Sequence, residues 1–344
     1  MTLHHAASSA SFAQLGGGAR NHLIIIVLVI GLFGGVDLLW LQFSSVDFSS
    51  RNWLAFGKVA LGLVVGRAAV KVVLMRLGSD AGAVASAIRY VSKSLLMLVS
   101  AAAAFIPLTI TTTVFMYLAT ATSRPLVDEQ LATLDAMLGF NWVSFLAASN
   151  QSAVWSSALF WAYHALGPQV PIVLLVHLMR QRQDRVFEFI ALMAVSSLFT
   201  GPLMAIFPAA GAYAFYKPAP DLFSNLTAQA GMWHYSTLLS LRSGAPYELI
   251  VSNAEGLVTF PSFHTALGIL VVYALRDIRP LFVAALIVNA VMIVSTLPEG
   301  GHHLVDVIVG AAIGVLSVAI VRLLSHVHEK LGAPEARSAA SMYP

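Results

Sequence analysis

His302 and Asp306 stand four residues apart, a spacing that on a helix puts two side chains on one face, one turn from each other. A carboxylate beside an imidazole fixes the tautomer of the ring and favours its charged form. An imidazole oriented in this way is a usable nucleophile or base. Asp306 is set in an apolar run, where a charge costs about 2.5–3.5 kcal/mol on insertion scales and calls for a partner. Gly300 and Gly301 come just before the pair, and residues without a Cβ let backbone approach a ligand closely. A helix beginning just beyond them would offer free N–H groups and a positive dipole end, both suited to a phosphate. A second histidine, His264, opens another apolar run in Phe260-Pro261-Ser262-Phe263-His264-Thr265 and is placed to act as general acid for a leaving oxygen. The third feature is the stretch 208–260, with Lys217, His234 and Arg242.

Each of these residues also has a plainer use. His302 with Asp306 could be a buried pair that only fixes helix packing, and the adjacent His303 could be the nucleophile in its place. Ser262, following Pro261, is a suitable helix cap. His234, between Trp233 and Tyr235, fits a structural place in an interfacial aromatic cluster, and Arg242 could anchor to lipid phosphates. No metal is expected, because neither a His-Glu-x-x-His pattern nor clustered carboxylates accompany the histidines.

The elements that must position these residues follow from composition. The chain has 344 residues, of which 58% are apolar and only 10% charged, against roughly 25% charged in a soluble domain. Mean hydropathy is +0.81. A disordered chain, a collagen and a coiled coil are excluded, and so little polar surface could not cover an ordinary soluble enzyme. The expected partner is a bilayer and not a nucleic acid. There is no cysteine, hence no disulfide, thiolate metal site or cysteine nucleophile.

A span needs about 20 mostly apolar residues. Eight candidates are 22–43, 54–74, 95–121, 152–178, 187–207, 262–276, 280–297 and 303–325. The first is too long for a signal-peptide core and no small-residue cleavage site follows it, so it is kept as a span. Gly167-Pro168 and Pro171 predict a kink in the fourth. Asp37, Lys58 and Arg67 are expected to pair with one another or to snorkel. Residues 122–151, with Leu131, Leu134 and Leu138 at helical spacing, predict a helix lying in the interface. The connection 208–260 is long enough to suggest a function of its own.

With eight spans both termini share one side. Most of the 19 basic residues fall on the loops of that side, among them Arg76, Arg89, Lys93, Arg180, Arg182, Arg185, Arg276 and Arg279. The opposite loops hold only Arg51, Arg124, Lys217 and Arg242. Cytoplasmic loops carry the excess of Lys and Arg. Both termini are therefore expected in the cytoplasm, with His264 and His302 at the outer face, as in a bacterial inner membrane.

Pro261-Ser262-x-His264 and Ser295 with His302 and Asp306 resemble the second and third motifs, P-S-G-H and S-R-x-x-x-x-x-H-x-x-x-D, of the type 2 phosphatidic acid phosphatase superfamily. The resemblance implies an all-α polytopic membrane bundle. It has a six-helix core over 95–325, two added helices over 22–94, and tails at 1–21 and 326–344. It also implies that His302 accepts the phosphoryl group, Asp306 orients it and His264 protonates the leaving group, with no cofactor. Ser262, Ser295, Thr296 and Gly301 would contact the phosphate. Phe263 replaces the glycine of the second motif and Thr296 the arginine of the third. The first motif, K-x-x-x-x-x-x-R-P, is not recognisable; Lys217 and Arg242 are the candidates to balance the phosphate charge in its place. The Phe-Pro-Ser-Phe-His and Gly-Gly-His-His forms look closer to the branch of inositol phosphorylceramide synthases and sphingomyelin synthase-like transferases.

The expected activity is that of a metal-independent lipid phosphatase or phosphotransferase working through a phosphohistidine. Its substrate would be a lipid phosphate or phospholipid. Water as acceptor makes it a phosphatase, whereas a lipid alcohol such as ceramide or diacylglycerol makes it a head-group transferase. The rivals from another class are a transporter, whose signature would be inverted repeats and interrupted helices in matching positions, and an inactive scaffold.

Overall fold

The structure, a computed structural model, describes residues 17–227, 231–257 and 259–340. The chain forms an all-α membrane bundle. Its helices are α1 (Gly17–Leu41), α2 (Ser50–Leu77), α3 (Ala83–Thr120), α4 (Asp128–Met137), α5 (Trp142–Asn150), α6 (Ala153–His164), α7 (Leu166–Met179), α8 (Gln183–Ile206), α9 (Ala212–Tyr216), α10 (Tyr235–Arg242), α11 (Phe263–Ala274), α12 (Arg279–Ser295) and α13 (Leu304–Ala340).

Helix α8 is the axis. From Val186 to Ser196 every residue is buried, because α1, α3, α11 and α13 all pack along it. α11 is held between α8, α12 and α13, and α6 lies against α12. One hydrophobic core, including Phe33, Phe115, Phe187, Ile190 and Leu270, runs through these contacts.

A helix occurs at each of the eight expected positions, but they are not equal. Four, α1, α3, α8 and the Leu304–His326 part of α13, are long and apolar enough to cross a membrane alone. The pair α6 and α7 is bent by 46° at Ala165, just before Gly167-Pro168, as the prolines predict. α11 and α12 are apolar but have 12 and 17 residues. At 1.5 Å per residue they fall short of the ~30 Å hydrocarbon core. α2 carries Lys58, Arg67, Lys71 and Arg76, which lowers its apolarity. The ends also differ from expectation: α1 starts at Gly17, α3 at Ala83, and α13 continues to Ala340. Residues 1–16 of the expected first tail lie outside the described residues.

The region 122–151 is two helices, α4 and α5, bent by 80° with respect to each other. A short parallel pair, β1 (Val46–Phe48) with β2 (Tyr247–Leu249), joins the α1–α2 turn to the long 208–260 segment. The Asn52 side chain reinforces it by donating to the Leu249 carbonyl and accepting from the Val251 N–H. The expected pairing among Asp37, Lys58 and Arg67 does not form. Both Asp37 carboxylate oxygens are buried without a hydrogen-bond partner, and Arg67 donates to Ser100 Oγ.

Candidate active site

The turn between α12 and α13 is built to hold His302. Its N–H donates to the Thr296 carbonyl, and its own carbonyl accepts from Trp142 Nε1 at 3.1 Å. The Trp142 indole is fully buried and stacked on Tyr216, so the backbone of His302 is clamped on both sides. Gly301 has a φ of +66°, a conformation that side chains disfavour. Its carbonyl accepts the Ala212 N–H at 2.7 Å, and a Cβ there would lie 3.0 Å from the Tyr213 ring. The glycine serves the approach of α9.

His302 Nδ1 meets Asp306 Oδ2 at 3.2 Å, and both groups are buried. The pairing is not two positions on one helix face, because α13 begins only at Leu304. Asp306 lies in the first turn and folds back, also accepting the His303 N–H at 2.9 Å, in the manner of a capping box. With Nδ1 bonded to the carboxylate, Nε2 of His302 is the atom left for chemistry.

α11 is locked to the same turn. The Ser262 N–H donates to the Asp306 carbonyl at 3.0 Å, and a Cβ on Gly310 would lie only 2.2 Å from the Ser262 carbonyl oxygen. α11 and α13 therefore cross backbone to backbone. This close crossing places His264, in the first turn of α11, with its ring centroid 6.5 Å from that of His302. Tyr163 stacks on His264 at 4.8 Å.

His264 and His302 line one cavity of about 220 Å³ together with His234. Its lining also takes Phe33 from α1, Phe115 and Met116 from α3 and Met204 from α8, with the hydroxyl side chains of Thr112, Thr113, Ser197 and Thr200 among them. No Lys or Arg is among its lining residues. His234 was the less expected member. Its Nε2 donates to the Ala210 carbonyl, which leaves Nδ1 to titrate, and burial lowers its pKa.

The other expected contacts lie elsewhere. Ser262 Oγ accepts from Thr265 N and Oγ1 and caps α11. Ser295 and Thr296 bond back to the carbonyls of Met292 and Ile293. Arg242 donates to the carbonyls of Thr122 and Arg124, and Lys217 ends α9 with an exposed side chain. The N-terminus of α13 is not open to a phosphate. Its Leu304 and Val305 N–H groups donate to Asp135 at 3.0 and 2.9 Å.

His303 faces away from this chemistry. It sits fully buried between Asp128 and Asp135, at 3.6 and 3.5 Å, distances of ion pairing more than of hydrogen bonding. Burial pulls its pKa down, but the two carboxylates prevail and hold it up at about 9. Asp128 in turn accepts the Ala210 and Gly211 N–H groups. Sequence reasoning had no signal for this cluster, whose acidic members lie in α4. Among the described residues no group of three or more His, Asp and Glu is arranged to hold a metal ion.

A model of the PAP2 superfamily matches residues 129–320, the stretch that runs from α4 through the His302–Asp306 turn and into α13. The chain belongs to the PAP2 superfamily. PAP2 proteins are generally phosphatases or phosphotransferases, and the long apolar helices make this PAP2 chain an integral membrane protein. The match begins later than the expected core at residue 95, leaving α1, α2 and α3 outside it. No curated protein and no solved structure matches the chain.

Proposed function

We propose that the protein is a lipid phosphatase or phosphotransferase that works through a phosphohistidine on His302. One observation carries this reading: His302, oriented by Asp306, and His264 line a single cavity that also takes the apolar side chains of Phe33, Phe115, Met116 and Met204. A phosphoester would lie at the histidine end and the lipid part against Phe33, Phe115 and Met204.

His302 Nε2 attacks phosphorus and the bond from phosphorus to the lipid oxygen breaks. The departing oxygen takes a proton from His264. His264, now a base, removes a proton from water or from a lipid hydroxyl. That oxygen attacks phosphorus and the bond to His302 breaks, which restores both histidines. Asp306 stabilises the imidazolium character that His302 acquires. The positioning of these groups supplies most of what such a transfer needs. His303, held as a cation by Asp128 and Asp135, serves the scaffold, which supports His302 as the nucleophile.

The active site belongs at the extracytoplasmic face. Arg76, Arg89, Lys93, Arg182, Arg185 and Arg276 gather at the end of the bundle where α1 begins, and the cavity lies toward the end where α1 finishes. A basic end is the cytoplasmic one.

The test is one assay on the purified chain in mixed micelles with EDTA, using lipid monophosphates and intact phospholipids with and without ceramide or diacylglycerol. Free phosphate that requires His302 identifies a phosphatase, and a new phosphorylated lipid without free phosphate identifies a head-group transferase. Neither product from folded protein, or turnover that needs an added divalent metal, overturns the proposal. Vanadate should inhibit, whereas a transporter would be indifferent to it.

A further inference from the structure

The cavity at His302 and His264 has no Lys or Arg among its lining residues, so the oxygens of a phosphoryl group bound there call for neutral hydrogen-bond donors beside the histidines. Apart from the histidines, the side-chain donors that line it are hydroxyls. Thr112, Ser197 and Thr259 give their protons to the carbonyls of Leu108, Met193 and Ala209. Thr200 Oγ1 is sealed in the packing. Thr113 and Tyr163 remain, and neither hydroxyl makes a hydrogen bond among the described residues or is closed off from the cavity.

Of these two, Tyr163 on α6 is the one in contact with the histidines. Its ring is stacked on His264, with centroids 4.8 Å apart and planes inclined by 15°. One edge of the ring reaches the turn that carries His302. A Cβ on Gly300 would lie 2.9 Å from Tyr163 Cε2 and 3.1 Å from His302 Cδ2. Glycine, which has no Cβ, lets both rings come up to the same point. Cε2 adjoins the carbon that bears the phenol oxygen, and Cδ2 is bonded to Nε2, the atom of His302 left for chemistry. The hydroxyl and the reactive nitrogen therefore share one edge of the cavity. A phenol keeps its proton through neutral pH and so is a donor wherever the enzyme would work.

We propose that Tyr163 is a further catalytic residue, whose hydroxyl donates a hydrogen bond to a non-bridging oxygen of the phosphoryl group as that group passes to and from His302 Nε2. Tyr163 holds its proton throughout. The stack sets its ring beside His264, so that one ring serves a phosphoryl oxygen and the other the leaving oxygen. This role rests on the reading of His302 as the phosphoryl acceptor.

The test is Tyr163→Phe, which removes the hydroxyl and keeps the ring in its stack. On the lipid phosphoesters that the wild type turns over in mixed micelles, kcat should fall by about 10²-fold, the lower bound for loss of one donor to a developing oxyanion. KM should change much less, the thermal midpoint should stay, and orthovanadate should inhibit more weakly by a similar factor. Tyr163→Leu, which loses the stack as well, should fall further. Wild-type kcat and vanadate sensitivity in Tyr163→Phe, with turnover still dependent on His302, overturn the role of Tyr163 alone. A loss of kcat accompanied by a lower thermal midpoint assigns the residue to the scaffold and also overturns it. Failure of the underlying reading looks different: His302→Ala keeps turnover, or the wild type has none and binds no orthovanadate, and the Tyr163 role falls with it.

Discussion

Asp135 Oδ2 accepts the backbone N–H of Leu304 at 3.0 Å across 169 residues of sequence. Through this bond α4 caps the helix that carries Asp306, and the same carboxylate faces His303. Breaking a buried charge pair on one side costs about 3–5 kcal/mol. Asp135→Ala is therefore expected to lower the thermal midpoint in detergent by well over the effect of an exposed change such as Glu129→Ala. Equal midpoints for the two variants would show that the cap carries no stability.

The His303 cluster also sets a pH window. Its folded pKa, about 9, lies above the unfolded value of about 6.5. The stabilisation is thus complete below about 6.5 and is lost as pH rises through 9. Thermal midpoints measured from pH 6 to 10 should fall over the upper part of that range. In His303→Gln, which cannot carry the charge, that part of the fall should be absent.

His264 is proposed to protonate the leaving oxygen, and a leaving group that is already a weak base needs no such help. His264→Ala should lose at least about 10²-fold in rate, the lower bound of general-acid contributions, on an alkyl phosphate ester. It should lose far less on an aryl phosphate with an acidic phenol. His302→Ala should lose both activities equally. Equal losses on both substrates in His264→Ala would remove it from the proton-transfer role.

With no Lys or Arg among the residues lining the cavity, histidine is the lining side chain that can bring positive charge to a bound phosphate. His234 has its pKa lowered by burial, so its cation forms only below the ordinary histidine range. KM for a lipid monophosphate should accordingly rise as pH climbs through mildly acid values, and His234→Gln should flatten that rise while changing kcat much less. An unchanged pH profile of KM would return His234 to a purely structural place beside Ala210.

The helical bundle was legible because hydropathy is a local property: a run such as Leu23–Phe33 declares itself wherever it packs. The bend near Ala165 was legible for the same reason, since Gly167 and Pro168 act on their own backbone. The spacing of His302 and Asp306 gave the right pair by the wrong geometry. Asp306 reaches back from the first turn of α13, and His302 precedes the helix. Four structural roles were not legible, because each is decided by a partner far away in sequence or by a bond no spacing reveals. Asp128 and Asp135 fall in the stretch expected to be an interfacial helix, and in the structure they flank His303. Trp142 gave no signal as the residue that fixes the His302 carbonyl. Ser295 matches the third motif and Thr296 stands where that motif has arginine, and the hydroxyls of both bond to carbonyls of their own helix. Arg242 was expected to balance phosphate charge or to anchor to lipid phosphates, and in the structure its guanidinium donates to the carbonyls of Thr122 and Arg124 in the turn after α3.

Phe33 ties the superfamily-matching stretch to the helices that precede it. The α1 helix that carries it lies between α3 and α8, and its ring is part of the cavity wall. A chain trimmed to the matching residues would strip α8 of its cover and leave the His302 chamber without one side. α1 and α3 are thus part of the enclosure, and a fragment that keeps the His302 chamber whole has to begin no later than α1.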